Sequence, residues 1–292
     1  IPSICLSSGP MMNGYWKGER AGSGTIVWKA RKLLATGEID EEEFIKIVVD
    51  ATTSPGFCNT MGTATTMNSL AEGLGMSLPG CAAIPAPLSE RIEMSYRTGL
   101  HIVEMVKKDL TPSKILTRKA FENSIVLNSA IGGSTNAPIH INAIARHVGV
   151  ELEIEDWEKV GLEIPMLVNL QPGGKYLGED FHRAGGVPAV MNALLKAGKL
   201  HDSAITVNGK TVAENYAETT TQDTDVIRTF QNPMLENAGF IVLKGNIFDS
   251  AVMKTSVISD SFRSQYLDKP GSRNIFEVRA VVFEGPEDYR KR

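Results

Sequence analysis

The apolar residues follow a helical spacing over most of the chain, and the clearest stripe lies within 89–107. There Ile92, Tyr96, Gly99, Val103 and Val106 follow one another at steps of four and three residues. This spacing predicts an amphipathic helix over 89–107. Weaker patterns predict further helices at 25–35, 41–50, 63–74, 119–131, 139–147, 156–160 and 188–197. Asp40 is a suitable N-cap for the second of these, and three glutamates follow it in the first turn.

Short apolar runs bounded by glycine and proline predict the strands. Residues 4–6 and 165–170 are typical of buried strands that lead into glycine-rich loops. After Asn232-Pro233 the sequence becomes rich in β-forming residues, at 240–243, 251–253 and 276–283. The pattern therefore predicts an α/β protein with one domain over 1–231 and the start of a β-rich domain over 232–292.

Composition narrows the classes of function. The chain has 292 residues, 42% of them hydrophobic and 22% charged, with a formal net charge of −4. These values exclude extensive disorder, and the absence of a run of about 18 apolar residues argues against a membrane span. A mildly acidic chain is also a poor candidate for binding nucleic acid. We expect a protein that acts on a small molecule.

The cysteines and the chain ends suggest where the protein works and how much of it is present. Three cysteines with no C-x-x-C spacing argue against a disulfide framework and a zinc ribbon, so we expect a reducing cytoplasm. The sequence opens at Ile1 without an initiator methionine and stops at Arg292 without a closing helix. We expect it to be the central part of a longer polypeptide.

Cys58 is the strongest candidate for chemistry. It stands in a loop flanked by glycine and just before a threonine-rich predicted helix. Helix N-terminal amides favour a thiolate, which a metal, an iron–sulfur cluster or a nucleophilic reaction requires. The alternative is a small buried hydrophobic side chain with an inert thiol, and spacing alone does not decide between them. Cys5 and Cys81 stand in apolar segments and are better explained as core residues.

Three glycine-rich loops are further candidates for ligand binding. Gly22-Ser23-Gly24 is an imperfect match to a dinucleotide-binding motif, since the third glycine is replaced by Val27. Residues 132–138 (Gly-Gly-Ser-Thr-Asn-Ala-Pro) form either an anion-binding turn or a tight turn between helices. Lys175, in the loop over 171–178, is placed to meet a carboxylate, although such lysines are more often solvated. The five histidines show no metal-ligand spacing.

Over essentially all 292 residues the sequence resembles the dihydroxyacid dehydratase/phosphogluconate dehydratase family. The resemblance rests on Cys-Asn-Thr-Met-Gly-Thr at 58–63 together with Gly-Met-Ser-Leu-Pro-Gly at 75–80. Ser-Gly-Pro-Met at 8–11, Gly-Gly-Ser-Thr-Asn at 132–136 and Leu-Lys-Gly-Asn at 243–246 follow the family's order. The Cys58 motif with Cys-Ala-Ala-Ile-Pro-Ala-Pro at 81–87 is most similar to the sugar-acid branch, which acts on aldonates such as L-arabonate and D-xylonate.

The resemblance implies a fold, an activity and cofactors. It implies a parallel-sheet α/β domain followed by a β-rich, barrel-like domain. It also implies a hydro-lyase that converts an aldonate to its 2-keto-3-deoxy acid with an iron–sulfur cluster, 2Fe–2S in preference to 4Fe–4S, and Mg²⁺. The cluster iron would act as a Lewis acid on the leaving hydroxyl. Family members are dimers or tetramers, so a homo-oligomer is expected.

The resemblance assigns few residues within this chain. Cys58 matches a cluster ligand, and Asn59 and Thr60 are expected to line its pocket. Cys5 and Cys81 do not match ligand positions, and the remaining cluster cysteines and most magnesium ligands are expected upstream. The family's serine base is expected beyond Arg292, so no catalytic residue is assigned here.

Three other functions stay open at this point. One is the dihydroxyacid dehydratase of branched-chain amino-acid synthesis. The second is a non-catalytic α/β module that binds a small anion, and the third is a dinucleotide-dependent oxidoreductase. The motifs at 58–63 and 81–87 favour the sugar-acid dehydratase over all three.

Overall fold

The protein consists mainly of helices placed between two small hairpins. The computed structural model describes residues 1–246, 249–267 and 279–291. The first hairpin pairs β1 (Gly14–Trp16) with β2 (Glu19–Ala21), and the second pairs β3 (Phe240–Leu243) with β4 (Ala251–Lys254), both antiparallel. Eleven helices lie between them: α1 (Ile26–Ala35), α2 (Glu41–Ala51), α3 (Thr63–Gly73), α4 (Ser89–Lys107), α5 (Pro112–Ile115), α6 (Arg118–Ala130), α7 (Ala137–His147), α8 (Ile154–Gly161), α9 (Gly178–Arg183), α10 (Gly186–Lys196) and α11 (Val212–Tyr216).

The predicted helices are confirmed to within a few residues, and local sequence explains how they begin. Asp40 accepts a hydrogen bond from the Glu43 amide at 2.8 Å, and the acidic first turn of α2 suits the helix dipole. At α11, Thr211 and Glu214 form a reciprocal capping box. Such caps satisfy amides that have no partner within the helix, so they fix where each helix starts.

The main core surrounds α6, which is buried over most of its length. Ten of its residues are buried, among them the fully enclosed Phe121, Ile125 and Leu127. Helices α3, α8 and α10 pack around it. Trp157 of α8 stacks on Phe240 of β3 with ring centroids 5.8 Å apart, so the second hairpin is anchored to this core.

A smaller core joins the first hairpin to α1 and α2. It is built from the buried residues Ala21, Ile26, Ala30, Ile47 and Ala51. This core holds the loop between β2 and α1, which contains Gly22, Ser23 and Gly24, in a defined position.

Helix α4 has the predicted bounds, but its apolar stripe faces solvent within the described part of the chain. Ile92, Tyr96 and Val106 are each at least 60% exposed. The side of α4 that packs on the core carries Met94 and Met105. The periodicity therefore identified the helix, while the stripe itself meets no other described element.

The strands expected at 4–6 and 165–170 are not formed. Residues 4–6 have no neighbouring strand, and the Cys5 amide bonds singly to the Met76 carbonyl at 2.7 Å. Residues 165–170 are buried and extended, yet they make isolated bridges, at Met166, Val168 and Leu170, in place of a ladder. A strand needs a continuous partner, which a local apolar run does not supply.

The expected parallel sheet is accordingly absent as a ladder among the described residues. Parallel pairing is limited to the single bridges Pro10↔Phe57 and Leu170↔Tyr176, and the two sheets are antiparallel. No closed barrel occurs in residues 1–246, 249–267 and 279–291. What is confirmed is the coarser class, a mixture of helices and small sheets.

The C-terminal residues divide from the rest after the second hairpin. Ile1–Ser256 form one compact unit and Val257–Arg292 a second, smaller one. Helical stretches occur at Asp260–Phe262, Arg263–Leu267 and Pro286–Lys291. The predicted strand at 276–283 falls in part outside the described residues, and 279–283 do not form a strand. The domain boundary at Asn232 stays a prediction.

No helix in these described ranges has both the length and the apolar character needed to cross a membrane.

Candidate functional site around Cys58

Cys58 lies in a loop that is pinned from both sides before α3 begins. The Phe57 amide donates to the Gly9 carbonyl at 3.1 Å, and the Met11 amide donates to the Phe57 carbonyl at 2.9 Å. On the other side, Thr65 of α3 donates its hydroxyl to the Cys58 carbonyl at 3.0 Å. The sulfur is therefore held at the N-terminal end of α3, as the sequence predicted.

Two hydroxyl groups contact the Cys58 sulfur. Ser23 Oγ donates a hydrogen bond to Sγ at 3.2 Å, and Thr60 Oγ1 lies 3.0 Å from Sγ. The sulfur is half-buried, and its neighbours are polar. A sulfur in such surroundings has hydrogen-bond donors that stabilise negative charge, which an inert core cysteine does not need.

Space beside the sulfur depends on a glycine. A Cβ added at Gly24 would lie 3.0 Å from Cys58 Sγ and 3.0 Å from Thr60 Oγ1. Both distances are tighter than ordinary van der Waals contact, so a side chain at position 24 would force the sulfur and the hydroxyl to shift by a few tenths of an ångström. The Gly22-Ser23-Gly24 loop is thus shaped to fit around Cys58 and Thr60.

Asn59 connects the three segments that form this site. Its buried side chain accepts from the Ser23 amide at 3.0 Å and donates to the Met12 carbonyl at 2.9 Å. Its own carbonyl accepts from the Gly178 amide at 2.7 Å. Asn59 therefore holds the segments around Cys58 together without contacting the sulfur. Of the two residues expected to line the pocket, Asn59 and Thr60, Thr60 is the one that contacts the sulfur.

The dinucleotide interpretation of Gly22 and Gly24 is not supported by their surroundings. A Cβ at Gly22 would lie 2.6 Å from Gln171 Oε1 and 2.6 Å from Thr60 Cγ2. The loop is thus packed against protein atoms on the side where a cofactor would need to approach. Gln171 also bonds to the Thr25 hydroxyl and accepts from the Met61 amide at 2.8 Å through its carbonyl.

The Gly-Gly-Ser-Thr-Asn loop at 132–136 meets the first turn of α3. Ser134 donates its amide to Thr66 Oγ1 at 3.0 Å and lies 3.1 Å from Thr63 Oγ1 through its hydroxyl. The amides of Gly132 and Gly133 bond back to α6, at Ser129 and Asn128. These amides already have partners, so the tight-turn alternative is favoured over the anion-binding one.

Lys254 is a residue near this loop that the sequence did not single out. Its ammonium donates to the Gly132 carbonyl at 2.7 Å, just past the C-terminal end of α6. Burial lowers the pKa of Lys254 to about 8. The one sequence feature that could have indicated a buried lysine here is its position directly after the apolar run 251–253.

A cavity of about 200 Å³ adjoins the site at Thr25 and Gln171. Arg20 in its wall binds Asp180 through two hydrogen bonds of 2.9 and 3.0 Å. Lys29 lies 5.3 Å from the centre of the Trp16 ring. Lys175 lies 5.4 Å from the Tyr176 ring and takes no part in lining this cavity.

The other predicted candidates lie elsewhere. Burial raises the pKa of the Cys81 thiol, and burial together with the charge of Cys81 raises that of Cys5. His201 pairs with Glu122, and His182 pairs with Glu90 at 2.9 Å. Among the described residues no three His, Cys, Asp or Glu side chains are grouped to hold a metal ion. Cys58 thus offers a metal ion one sulfur ligand, without a cluster of further ligands beside it among the described residues.

Comparisons with known proteins agree on one family. The family model described as dihydroxy-acid/6-phosphogluconate dehydratase, N-terminal, matches residues 1–215. The chain is 55% identical to D-xylonate dehydratase of Caulobacter vibrioides, over 100% of this chain and 49% of that protein. It is 46% identical to L-arabinonate dehydratase of Rhizobium leguminosarum bv. trifolii, over 99% and 48% respectively.

A dihydroxy-acid dehydratase of Caldanaerobacter subterraneus subsp. tengcongensis is also similar. The identity is 45% over 97% of this chain and 50% of that protein. The chain therefore spans about half the length of the curated relatives it matches.

Proposed function

Because the chain belongs to the dihydroxy-acid/6-phosphogluconate dehydratase family, we propose that it is part of a hydro-lyase acting on a sugar acid. The substrate class follows the names of its relatives, since D-xylonate and L-arabinonate dehydratases are 55% and 46% identical to it. The reaction removes water from a 2,3-dihydroxy carboxylate and gives a 2-keto-3-deoxy acid.

The observation that carries this proposal is the environment of the Cys58 sulfur. It lies at the start of α3 with the hydroxyls of Ser23 and Thr60 within 3.2 Å, and Gly24 keeps the adjacent space open. We assign Cys58 as a ligand of the iron–sulfur cluster, and we prefer a 2Fe–2S cluster. A cluster of that kind has four ligand positions to fill.

Among the described residues, Cys58 suits one of those ligand positions. A soft thiolate donor with hydroxyl partners and no side chain opposite it suits a cluster iron. The absence of a second grouped donor among the described residues means that the remaining ligands come from outside them. The same holds for Mg²⁺, whose carboxylate ligands we place elsewhere in the complete protein.

The residues of this chain prepare the site in separate ways. A bound cluster and Mg²⁺ supply Lewis acidity for the leaving hydroxyl and for the substrate carboxylate. Ser23 and Thr60 stabilise negative charge on Cys58 Sγ, and Asn59 fixes the segment that carries both. We assign no residue of this chain as the base that removes the C2 proton.

A dihydroxy-acid dehydratase is the second candidate function. The specific observation in its favour is the 45% identity to the Caldanaerobacter protein of that name. The anion-binding module is weaker, because the amides of Gly132, Gly133 and Ser134 already have partners. The dinucleotide-dependent enzyme is weaker still, because protein atoms cover Gly22.

We also propose the finer features of the family for the complete protein. These are a parallel sheet in the α/β domain, a barrel-like domain after it, and assembly as a homo-oligomer, a dimer or a tetramer. We place the protein in the cytoplasm because its three cysteines are free and a thiolate ligand needs a reducing compartment.

An assay of the complete gene product tests the substrate class. The protein is prepared without oxygen and is given D-xylonate, L-arabonate or 2,3-dihydroxyisovalerate with Mg²⁺, and the 2-keto acid is quantified. Turnover of an aldonate at least tenfold faster than that of dihydroxyisovalerate supports the proposal. The reverse preference supports the branched-chain enzyme, and no turnover of any substrate by iron-loaded protein contradicts both.

A further inference from the structure

The apolar stripe of α4 is a surface without a partner in the described chain. Ile92, Tyr96, Val103 and Val106 are 74%, 67%, 51% and 60% exposed. Leu100, beside them, is 56% exposed. A contiguous row of large exposed apolar side chains along one helix is typical of an interaction surface.

The stripe is nearly symmetric about Gly99. Ile92 and Val106 each lie seven positions from Gly99, and Tyr96 and Val103 lie three and four positions from it. If two copies of α4 run antiparallel and cross at Gly99, Ile92 lies opposite the partner's Val106. Tyr96 then lies opposite the partner's Val103. This spacing of four and three is the one that lets side chains of paired helices interlock.

Gly99 itself suits the crossing point. A Cβ added there would meet nothing within 4 Å, so packing inside this chain does not explain the glycine. Glycine in a helix interior is less favourable than alanine, because it loses more backbone entropy on folding. A close approach of two helix backbones accounts for a glycine at the centre of the stripe.

The charges beside the stripe fit the antiparallel orientation. Glu93 and Lys107 flank the stripe on the same side, near its two ends. In an antiparallel pair Glu93 lies opposite the partner's Lys107, twice by symmetry, and Leu100 lies opposite the partner's Leu100. In a parallel pair this flank of one helix would lie on the opposite side of the contact from the same flank of the other, so Glu93 and Lys107 would not meet. Lys107 also binds Glu104 of its own helix at 2.7 Å, and both remain largely exposed.

We propose that the α4 stripe is a two-fold interface on which a second copy of this chain docks, with the two α4 helices antiparallel and crossing at Gly99. A two-fold axis makes the contact self-complementary, so it closes as a dimer and does not extend into a fibre. The α4 contact and its two-fold symmetry do not depend on the cluster or on the substrate.

Cross-linking of the complete gene product tests the crossing point. Gly99→Cys places two thiols close to the axis, so mild oxidation should give a disulfide-linked dimer that dithiothreitol reverses. Ile92→Cys is the matched control, because the two copies of that position lie at opposite ends of the pair. Wild type gives the background from the native cysteines. Cross-linking of Ile92→Cys as efficient as that of Gly99→Cys would overturn the antiparallel arrangement.

The mass in solution tests the interface independently. Val103→Glu puts a charge into the stripe and should lower the oligomeric mass by a factor of two, as measured by light scattering. Ile139→Glu is the control, because Ile139 is 68% exposed on α7 and lies outside the stripe. Circular dichroism establishes that each variant is folded. An unchanged mass in folded Val103→Glu, with no Gly99→Cys dimer, would show that another segment or partner covers the stripe.

Discussion

The hydroxyl of Ser23 lies 3.2 Å from the sulfur of Cys58 and also 3.2 Å from the side-chain oxygen of Asn59. A serine hydroxyl has one proton, so it can donate to one of the two at a time. The Asn59 oxygen already accepts from the Ser23 amide at 3.0 Å. If the Ser23 hydroxyl is removed, the Asn59 oxygen therefore keeps a hydrogen bond, whereas the sulfur loses one.

Ser23→Ala removes this hydrogen bond. A hydrogen bond to a cluster thiolate raises the reduction potential, because it stabilises the added negative charge. Since such a bond is worth about 1 kcal/mol, the potential of the variant should fall by roughly a few tens of millivolts. Spectroscopic redox titration of the anaerobic protein measures it. Ser134→Ala is the control, because Ser134 contacts Thr63 and not the sulfur. Equal potentials in wild type and Ser23→Ala would remove the role assigned to Ser23.

Gly24→Ala introduces a methyl group 3.0 Å from Cys58 Sγ. The sulfur must move away from it, so the variant should bind less than half of the wild-type iron while its helix content is unchanged. Iron and sulfide analysis with circular dichroism measures both quantities. Gly285→Ala serves as the control for handling, because a Cβ at Gly285 has nothing within 4 Å and its backbone is not left-handed. A fully loaded Gly24→Ala protein would mean that this space is not needed.

Glu72 makes folding stability depend on pH. Its buried carboxyl accepts from the amides of Gly80 and Ala82 at 2.7 and 2.9 Å, and burial raises its pKa to about 7 from 4.5. A raised folded-state pKa stabilises the protein fully below pH 4.5, and this stabilisation is lost as the pH rises through 7. Relative to Glu72→Gln, wild type should lose about 3 kcal/mol across that window.

Urea unfolding of both proteins between pH 4.5 and 8 measures this difference. Glu151→Gln is the control, because Glu151 is exposed and lies outside the α4 stripe. A constant difference between wild type and Glu72→Gln would contradict the raised pKa.

Lys254 gives the opposite dependence at higher pH. Its folded-state pKa is about 8, against 10.5 for the exposed amine, because burial disfavours the charge. The unfolded chain therefore holds the proton more strongly between pH 8 and 10.5, and stability rises with pH in that window. Wild type should gain about 2–3 kcal/mol relative to Lys254→Met. Lys244→Met is the matched control, because Lys244 is an exposed lysine of the same hairpin region and binds Glu155. A wild type that gains no stability relative to Lys254→Met between pH 8 and 10.5 would rule out Lys254 as the source.

Local sequence predicted most helices but not the contacts that build the site. The Asp40 cap and the α4 periodicity act within one or two turns, so they are visible in the sequence. Ser23 and Cys58 are 35 positions apart, and Lys254 and Gly132 are 122 apart. No local pattern encodes such pairs.

The same limit explains the strand predictions at 4–6 and 165–170. Their apolar residues indicated extended chain, but a ladder depends on a neighbour far away in sequence. Cys58 itself was predicted as the site residue from its motif and from its place before α3. Thr60 was expected to line its pocket from the family motif, whereas the second hydroxyl partner, Ser23, was not predicted.

The central claim is that Cys58 binds an iron–sulfur cluster, and the iron content of Cys58→Ser tests it most directly. The complete gene product is purified without oxygen, and iron, sulfide and the visible absorption spectrum are measured beside those of Cys81→Ser. We predict that wild type and Cys81→Ser are brown and carry the cluster, whereas Cys58→Ser is folded and has lost most of its iron. A folded Cys58→Ser protein with the wild-type spectrum and iron content would contradict the account.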